Sequence, residues 1–147
     1  MIDDLDRKII RILNNDARLS YREIARKAGA SVTAVSRKVK QMESAGALRG
    51  YVPRVDPAAF GLDLTAVIAL RISKGRLLET QARIAKDPRV SAVYDITGEW
   101  DSLVIGRFRG RDDLNAFIKH LLSQPYVVRS VTHIALNTVK EDPRIPV

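Results

Sequence analysis

The feature of the sequence that most constrains its fold is a pair of short helical patterns in residues 20–46. Ser20 and Glu23 have the spacing of a capping box, in which each side chain bonds the backbone N–H of the other residue. Gly29 can adopt the left-handed conformation that ends a helix, and Ser31 can cap the helix that follows. Apolar residues recur at helical spacing on both sides of this turn. We therefore predict a helix-turn-helix, whose second helix typically enters the major groove of DNA.

Two further patterns flank this pair. Residues 4–15 have the apolar spacing of a first helix, which we expect to cover the other two and complete a three-helix head. Residues 47–57 contain short apolar pieces between glycines and prolines, so we expect a strand or wing there. Pro53 and Pro57 argue against a central strand, because proline cannot donate to a sheet ladder.

Several polar residues of the head lie away from its apolar stripes and are candidates for DNA contact. The Arg37 guanidinium has the fork that bonds guanine bidentately, whereas the Lys40 ammonium suits a phosphate. Alternatively, the lysines of this helix only make the surface soluble, and Tyr21 packs in the core. The predicted DNA-contact set is Tyr21, Arg22, Ser31, Thr33, Ser36, Arg37 and Lys40.

Positive charge is concentrated in the head. Residues 1–54 contain 12 Lys and Arg against 6 Asp and Glu, whereas residues 55–147 contain 13 against 11. This asymmetry favours a polyanion, double-stranded DNA, as the partner of the head. The sequence has no apolar run of membrane-spanning length, an acidic start and no cysteine, so we expect a cytoplasmic protein with no membrane partner and no disulfide.

The second half of the chain has strand and helix patterns in the order β-α-β-β-α-β, which is that of a ferredoxin-like fold. In such a fold the helices cover one face of the sheet. Val and Ile occur on both faces of several strands, so we expect the other face to contact a partner, most simply a second copy. Strands are expected at 64–72, 90–96, 102–108 and 127–136, and helices at 77–86 and 114–122, with Leu77, Leu78, Ala82, Ile84 and Ala85 inward on the former.

The predicted fold class is therefore α+β, with a winged-type helix-turn-helix head followed by a ferredoxin-like βαββαβ domain. We expect the head in residues 1–54, a linker in residues 55–62, and a sensing and oligomerisation domain in residues 63–147. The linker is marked by its proline and glycine.

The turn before the third strand contains residues that could bind a small molecule. Gly98 would let a ligand approach the backbone, and Trp100 is the only tryptophan of the chain. Glu99 and Asp101 place two carboxylates close together, which favours a nearby cation such as the ammonium of a polar or basic amino acid. Alternatively, this is an ordinary turn whose tryptophan packs against a neighbouring subunit. The candidate effector-binding set is Thr97, Gly98, Glu99, Trp100, Asp101, Thr132 and His133.

Loose motifs in a fixed order carry a family resemblance. They are residues 5–10, 17–20, 31–42 and 46–51, and Thr97-Gly98 with Asp101. Together they resemble the Lrp/AsnC (leucine-responsive/asparagine-responsive) family, the feast/famine transcriptional regulators. The resemblance implies a DNA-binding head, a ligand-sensing domain, dimers that pair into octamers, and amino-acid effectors bound between dimers.

Two departures from the family pattern bear on these expectations. Val32 stands where many relatives have proline at the start of the recognition helix. We expect this change to matter little, because proline at the first helical position favours the helix but is not required for it. Glu99 and Trp100 occupy a position that varies among relatives, so the effector's identity does not carry over.

We expect a sequence-specific DNA-binding transcriptional regulator whose assembly or DNA affinity responds to a small molecule, an amino acid. The alternative is an architectural DNA-binding protein without a ligand. An enzyme is not expected, because the sequence contains no nucleophile–base–orienter set and no glycine-rich phosphate loop. His120 and His133 are far apart and thiols are absent, so we expect neither a metal site nor a cofactor.

Overall fold

The structure is a computed structural model that describes residues 2–147 and divides into two compact units. The first unit, which we call the head, comprises the chain up to Arg54 together with residues 141–147, and the second comprises residues 55–140. The expected second domain, residues 63–147, includes these last seven residues, which in the structure contact the head. There Arg11 Nε donates to the carbonyl oxygen of Val147 over 2.6 Å. Two prolines in this segment disfavour an extension of the last strand.

The head contains three helices in the predicted positions: α1 (Asp4–Asn15), α2 (Tyr21–Ala28) and α3 (Val32–Ser44). The caps form as the sequence predicts. Ser20 and Glu23 make a reciprocal capping box, Gly29 ends α2 with φ of 68°, and the Ser31 hydroxyl accepts from the N–H of Ala34. The buried apolar side chains of the three helices pack into one core, made by Ile9, Ile24, Ala25, Val35, Val39 and Met42.

The strand or wing expected at residues 47–57 does not form. The N–H groups of Ala47 and Leu48 both bond the carbonyl oxygen of Met42, which turns the chain back toward α3, and the Tyr51 hydroxyl donates to Glu43 over 3.3 Å. All strands of the four-stranded sheet lie in the second unit. Without a neighbouring strand to accept its hydrogen bonds, a short apolar segment between prolines stays irregular.

The second unit is an antiparallel sheet of strand order β2-β3-β1-β4 with two helices, and the predicted β-α-β-β-α-β order is confirmed. Both helices pack on one face of the sheet, where alternate residues of β1 and β3 meet the core around Phe108 and Phe117. The elements are β1 (Leu64–Ile72), α4 (Leu77–Ile84), β2 (Val90–Asp95), β3 (Ser102–Phe108), α5 (Arg111–Leu122) and β4 (Val127–Ile134). None of the described helices is long and apolar enough to cross a membrane.

The buried face of helix α4 agrees only in part with the prediction: Ile84 is buried and Leu77 packs against the core as expected. Leu78, expected to point inward, is 76% exposed, whereas Thr80 and Gln81 are buried. The two polar groups can be buried because each has a hydrogen-bond partner: Thr80 Oγ1 donates to the carbonyl of Arg76, and Gln81 Nε2 donates to Ser102 Oγ. Ala82 and Ala85 are also exposed.

The sheet face away from the helices carries a partly exposed apolar surface. Its central residues pair directly across strands, Val67 with Ile105 and Ala69 with Leu103, and on the other side Ala69 with Val131. A covering layer is expected for such a face. The prediction that a second copy provides it remains a prediction.

Candidate DNA-binding surface and ligand-binding loop

The outer face of α3 and the start of α2 form an open groove of ≈ 860 Å³. Five of the seven predicted DNA-contact residues line it: Tyr21, Thr33, Ser36, Arg37 and Lys40. Tyr21 is 37% exposed and therefore does not pack in the core. Arg22 is exposed outside this lining, and the hydroxyl of Ser31 is occupied as the α3 cap. The groove is shallow, so its shape suits an extended surface and not an enclosed small molecule.

Helix α3 has the dimensions and the free charge needed to enter a major groove. Its 13 residues span about 20 Å, and a B-DNA major groove of about 12 Å width admits an α-helix. Among the described residues, no carboxylate pairs with the Arg37 guanidinium or the Lys40 ammonium. Both cations are therefore available to a polyanion without first breaking an internal ion pair.

Lys38, between these two residues in sequence, is used differently. Its Nζ lies 2.5 Å from Asp3 Oδ2 and 3.3 Å from Asp6 Oδ2, the two carboxylates of the α1 capping box. Asp6 is only 3% exposed, so its charge requires this partner. The hydrogen bond from Lys38, followed by that from the Asp6 N–H, lowers the pKa of Asp3 to about 2. Lys38 thus joins α1 to α3 and is not a surface cation available for DNA.

In the second unit, Asp101 connects the loop between β2 and β3 to strand β1 by hydrogen bonds. The Asp101 N–H donates to the Leu70 carbonyl over 2.9 Å, and its Oδ2 accepts from the Ile72 N–H over 2.8 Å. Its other carboxylate oxygen lies 3.6 Å from the guanidinium of Arg71. Asp101 therefore fixes the loop to the end of β1, and its negative charge already has a cation.

The position of Asp101 removes the basis for expecting a polar or basic effector. The preference for a polar or basic effector rests on two carboxylates that need an outside cation, and the structure supplies that cation as Arg71. Among the described residues, only Glu99 is left on the loop as a carboxylate without a hydrogen bond or ion pair. Gly98 has φ of 110°, a conformation that favours glycine, so it has a backbone role besides any contact with a ligand.

Arg129 of β4 contacts Trp100. The Arg129 guanidinium lies over the Trp100 ring, 5.1 Å from its centroid. Thr132 and His133, the β4 residues in the candidate set, pair with Ile68 and Val67 and lie three and four residues further along the strand. At about 3.4 Å per residue this is about 10–14 Å from Arg129. Arg71 and Arg129 were missed because strand register, which brings them to the loop, cannot be read from local spacing.

Family comparison gives the same order of two domains, and its second domain also includes residues 141–145, which contact the head in the structure. Residues 2–43 match the family model of the AsnC-type helix-turn-helix domain, and residues 65–145 match that of the Lrp/AsnC ligand binding domain. The chain belongs to the Lrp/AsnC family. The resemblance inferred from the sequence motifs is thereby confirmed.

Individual relatives of this Lrp/AsnC chain are similar along its whole length. An HTH-type transcriptional regulator of Pyrococcus furiosus is 43% identical over 98% of this chain and 97% of its own length. The HTH-type transcriptional regulator FL11 of Pyrococcus horikoshii is 31% identical, over 99% of this chain and 97% of its own length. A transcriptional regulator of Neisseria meningitidis, solved in complex with L-Met, is 29% identical. Its structure superposes with a TM-score of 0.90 over 99% of this chain and 97% of its own. The chain is thus a transcriptional regulator with a helix-turn-helix and a ligand-binding domain.

Proposed function

We propose that this Lrp/AsnC regulator binds specific DNA sequences through α3 and that an amino acid changes its DNA affinity or its assembly. The observation that carries the first part is the open groove of α3, where Arg37 and Lys40 have no carboxylate partner in residues 2–147. In this proposal Arg37 reads a base edge, Lys40 contacts a phosphate, and Tyr21, Arg22, Thr33 and Ser36 complete the contact surface, with Ser31 holding the start of α3.

Homodimers are the second part of the proposal. The sheet face around Val67 and Ala69 is apolar, so two copies of it could pack against each other. A two-fold interface uses the same surface on both copies. A dimer would present two α3 helices to half-sites about 34–36 Å apart or a multiple of that spacing. Assembly of such dimers into an octamer is implied by the resemblance alone.

The effector part of the proposal concerns the loop around Thr97–Asp101. This loop lies in the unit that matches a ligand-binding family model, and the Neisseria relative is a complex with L-Met. An amino acid that binds the loop at a subunit boundary would couple to DNA binding, and by linkage DNA would change the amino-acid affinity by the same factor. Thr132 and His133 would contribute only if they reach the loop of another subunit, because they lie away from the loop of their own chain.

The test uses the full-length protein in two steps. First, DNA sequences are selected from a random duplex pool, and affinity for the selected and a scrambled duplex is measured at several salt concentrations. Second, the twenty standard L-amino acids are added one at a time while affinity for the selected duplex and thermal stability are followed. We expect a sequence preference and at least one amino acid that raises the melting temperature and changes DNA affinity.

Two results would contradict this proposal. Equal affinity for selected and scrambled duplexes at every salt concentration would refute sequence-specific binding. Specific DNA binding that no amino acid alters would favour the alternative, a ligand-independent architectural protein. Light scattering in the same buffers gives the oligomer number and shows whether an amino acid changes it.

A further inference from the structure

We propose that Arg129, held against Trp100, binds the carboxylate of the amino-acid effector. The inference rests on the proposed function, since it assigns a recognition residue to the effector loop. It differs from the expectation that the effector is held by the backbone at Gly98 and by the carboxylates of Glu99 and Asp101.

The charge balance at this end of the sheet is the first step. Arg71 and Arg129 are directly paired across β1 and β4, so both side chains lie on the sheet face away from the helices. Like charges directly opposite each other destabilise a strand pair. Asp101 neutralises one of them, at 3.6 Å from Arg71, and among the described residues no carboxylate pairs with Arg129. The Arg129 guanidinium therefore keeps its positive charge unneutralised next to Arg71, which leaves a local excess of positive charge.

The contact with Trp100 is the second step. A guanidinium stacked over an aromatic face is attracted by the ring and loses part of its freedom, while its N–H edges stay exposed. The Arg129 guanidinium lies 5.1 Å from the Trp100 centroid, and Arg129 is exposed whereas Trp100 is partly buried. The ring thus orients a planar fork of donors toward solvent, and that fork matches the two oxygens of a carboxylate.

The position of the loop gives the chemical class of the ligand. Asp101 fixes the loop through the backbone of Leu70 and Ile72, so the base of the site is already ordered. Glu99 is the one loop carboxylate without a partner in the described part of the chain, and it is two residues from Asp101. Glu99 is next to Trp100 in the sequence, so a zwitterion whose carboxylate binds Arg129 would have its ammonium compatible with the negative charge of this loop. The ligand class is accordingly a free α-amino acid, whereas a carboxamide or an ester of the same amino acid lacks the required anion.

The experiment measures binding to full-length protein by isothermal titration and by Trp100 fluorescence, which is unambiguous because the chain has one tryptophan. The probes are the twenty standard L-amino acids and, for the tightest binder, its carboxamide. The variant is Arg129→Gln, with Arg129→Lys as the conservative change. The matched control is Arg111→Gln, the same charge change at an exposed position beyond the opposite end of β3.

We expect Arg129→Gln to weaken binding of the free amino acid by about 10- to 100-fold, because a charge-assisted pair of hydrogen bonds is lost. Arg129→Lys should restore part of the affinity, Arg111→Gln should bind as the wild type does, and the carboxamide should bind wild type as weakly as the free acid binds Arg129→Gln. Circular dichroism establishes that each variant is folded.

Three outcomes would overturn the inference, and they are distinguishable. Equal binding by wild type and Arg129→Gln would refute the role of Arg129 while leaving the amino-acid response in place. A changed oligomeric state in Arg129→Gln with unchanged amino-acid affinity would assign Arg129 to a carboxylate of a neighbouring subunit. If no amino acid binds the wild type, the proposed effector response fails and the role of Arg129 fails with it.

Discussion

The α3 groove of the head and the ion-pair clusters of the second unit hold positive charge in different ways. In the helix-turn-helix head, Arg37 and Lys40 lie on an open groove without acidic partners among the described residues. In the second unit, Arg89 bonds two aspartates and Arg83 pairs with Glu79. The comparison teaches that net charge alone does not locate a ligand surface. The informative residues are cations without a carboxylate partner in the described part of the chain, and in the second unit Arg129 is such a residue.

The largest expected effect is on the stability of the second unit. Arg89 donates to Asp87 over 2.7 Å and to Asp113 over 2.8 Å, and its guanidinium lies 5.0 Å from the centroid of Phe117. Arg89→Met should lower the free energy of unfolding by about 2–4 kcal/mol, because two partly buried carboxylates lose their cation. Urea denaturation followed by Trp100 fluorescence measures this, since the tryptophan lies in the same unit.

The control for Arg89 is Arg83→Met. Arg83 pairs with Glu79 on the surface of α4, where both side chains are nearly half exposed. Exposed ion pairs of this kind contribute less than about 1 kcal/mol. Equal losses in the two variants would show that pairing in the second unit has no special structural role, and the contrast with the head would be weakened.

The next effect is on DNA affinity. Arg37→Ala should weaken binding to a selected duplex by about 1–3 kcal/mol and relax the preference at one base position, because a bidentate base contact is lost. Its unfolding transition should match that of the wild type, since Arg37 has no internal partner among the described residues. Titrations against the selected duplex and single-base variants measure the change. Unaltered affinity with native circular dichroism would refute the assignment of α3 as the recognition helix.

A finer comparison uses two lysines on the same helix. Lys40→Met should reduce the slope of log affinity against log salt by about 1 without altering the thermal midpoint of unfolding, because one phosphate contact is lost. Lys38→Met should lower that midpoint, because Asp6 is buried and loses its cation, and should leave the salt slope unchanged. Salt-dependent binding curves and thermal unfolding of both variants test this. The reverse pattern would mean that Lys38, and not Lys40, contacts DNA.

The smallest effect is a pH dependence. The pKa of Asp3 is lowered to about 2 from its ordinary value of 3.8, mainly by Lys38. A lowered carboxyl pKa stabilises the folded state above the unfolded value and loses that contribution as the pH falls from about 4 toward 2. NMR titration of the Asp3 carboxyl group should give a pKa near 2 in the wild type and one nearer 4 in Lys38→Met. Identical titration curves would show that the contact between Asp3 and Lys38 does not persist in solution.

Most of the secondary structure was predictable from the sequence because its signals are local. The capping box of Ser20 and Glu23 and the left-handed Gly29 involve residues within one helical turn, so their spacing determined where α2 begins and ends. Alternation over residues 64–72 likewise located β1, whose observed bounds are the same. The order of these elements indicated two domains, and the sequence motifs indicated the family. The polar residues on the outer side of α3 included most of those that line the open groove.

Side-chain partners were decided by the tertiary structure. Lys38 meets two aspartates of α1 that are 32 and 35 residues away, and Arg129 reaches Trp100 only through the register of β4 against β1. Such contacts depend on how elements pack and pair, and no local period encodes them. The same cause explains the unpaired segment 47–57 and the burial of Thr80 and Gln81 on α4. A strand forms only where a neighbour accepts its hydrogen bonds, and a polar residue is buried only where packing brings it a partner. The sequence by itself thus determined the helices, the strands and their order, whereas the three-dimensional packing decided which charges are neutralised and which remain free to bind.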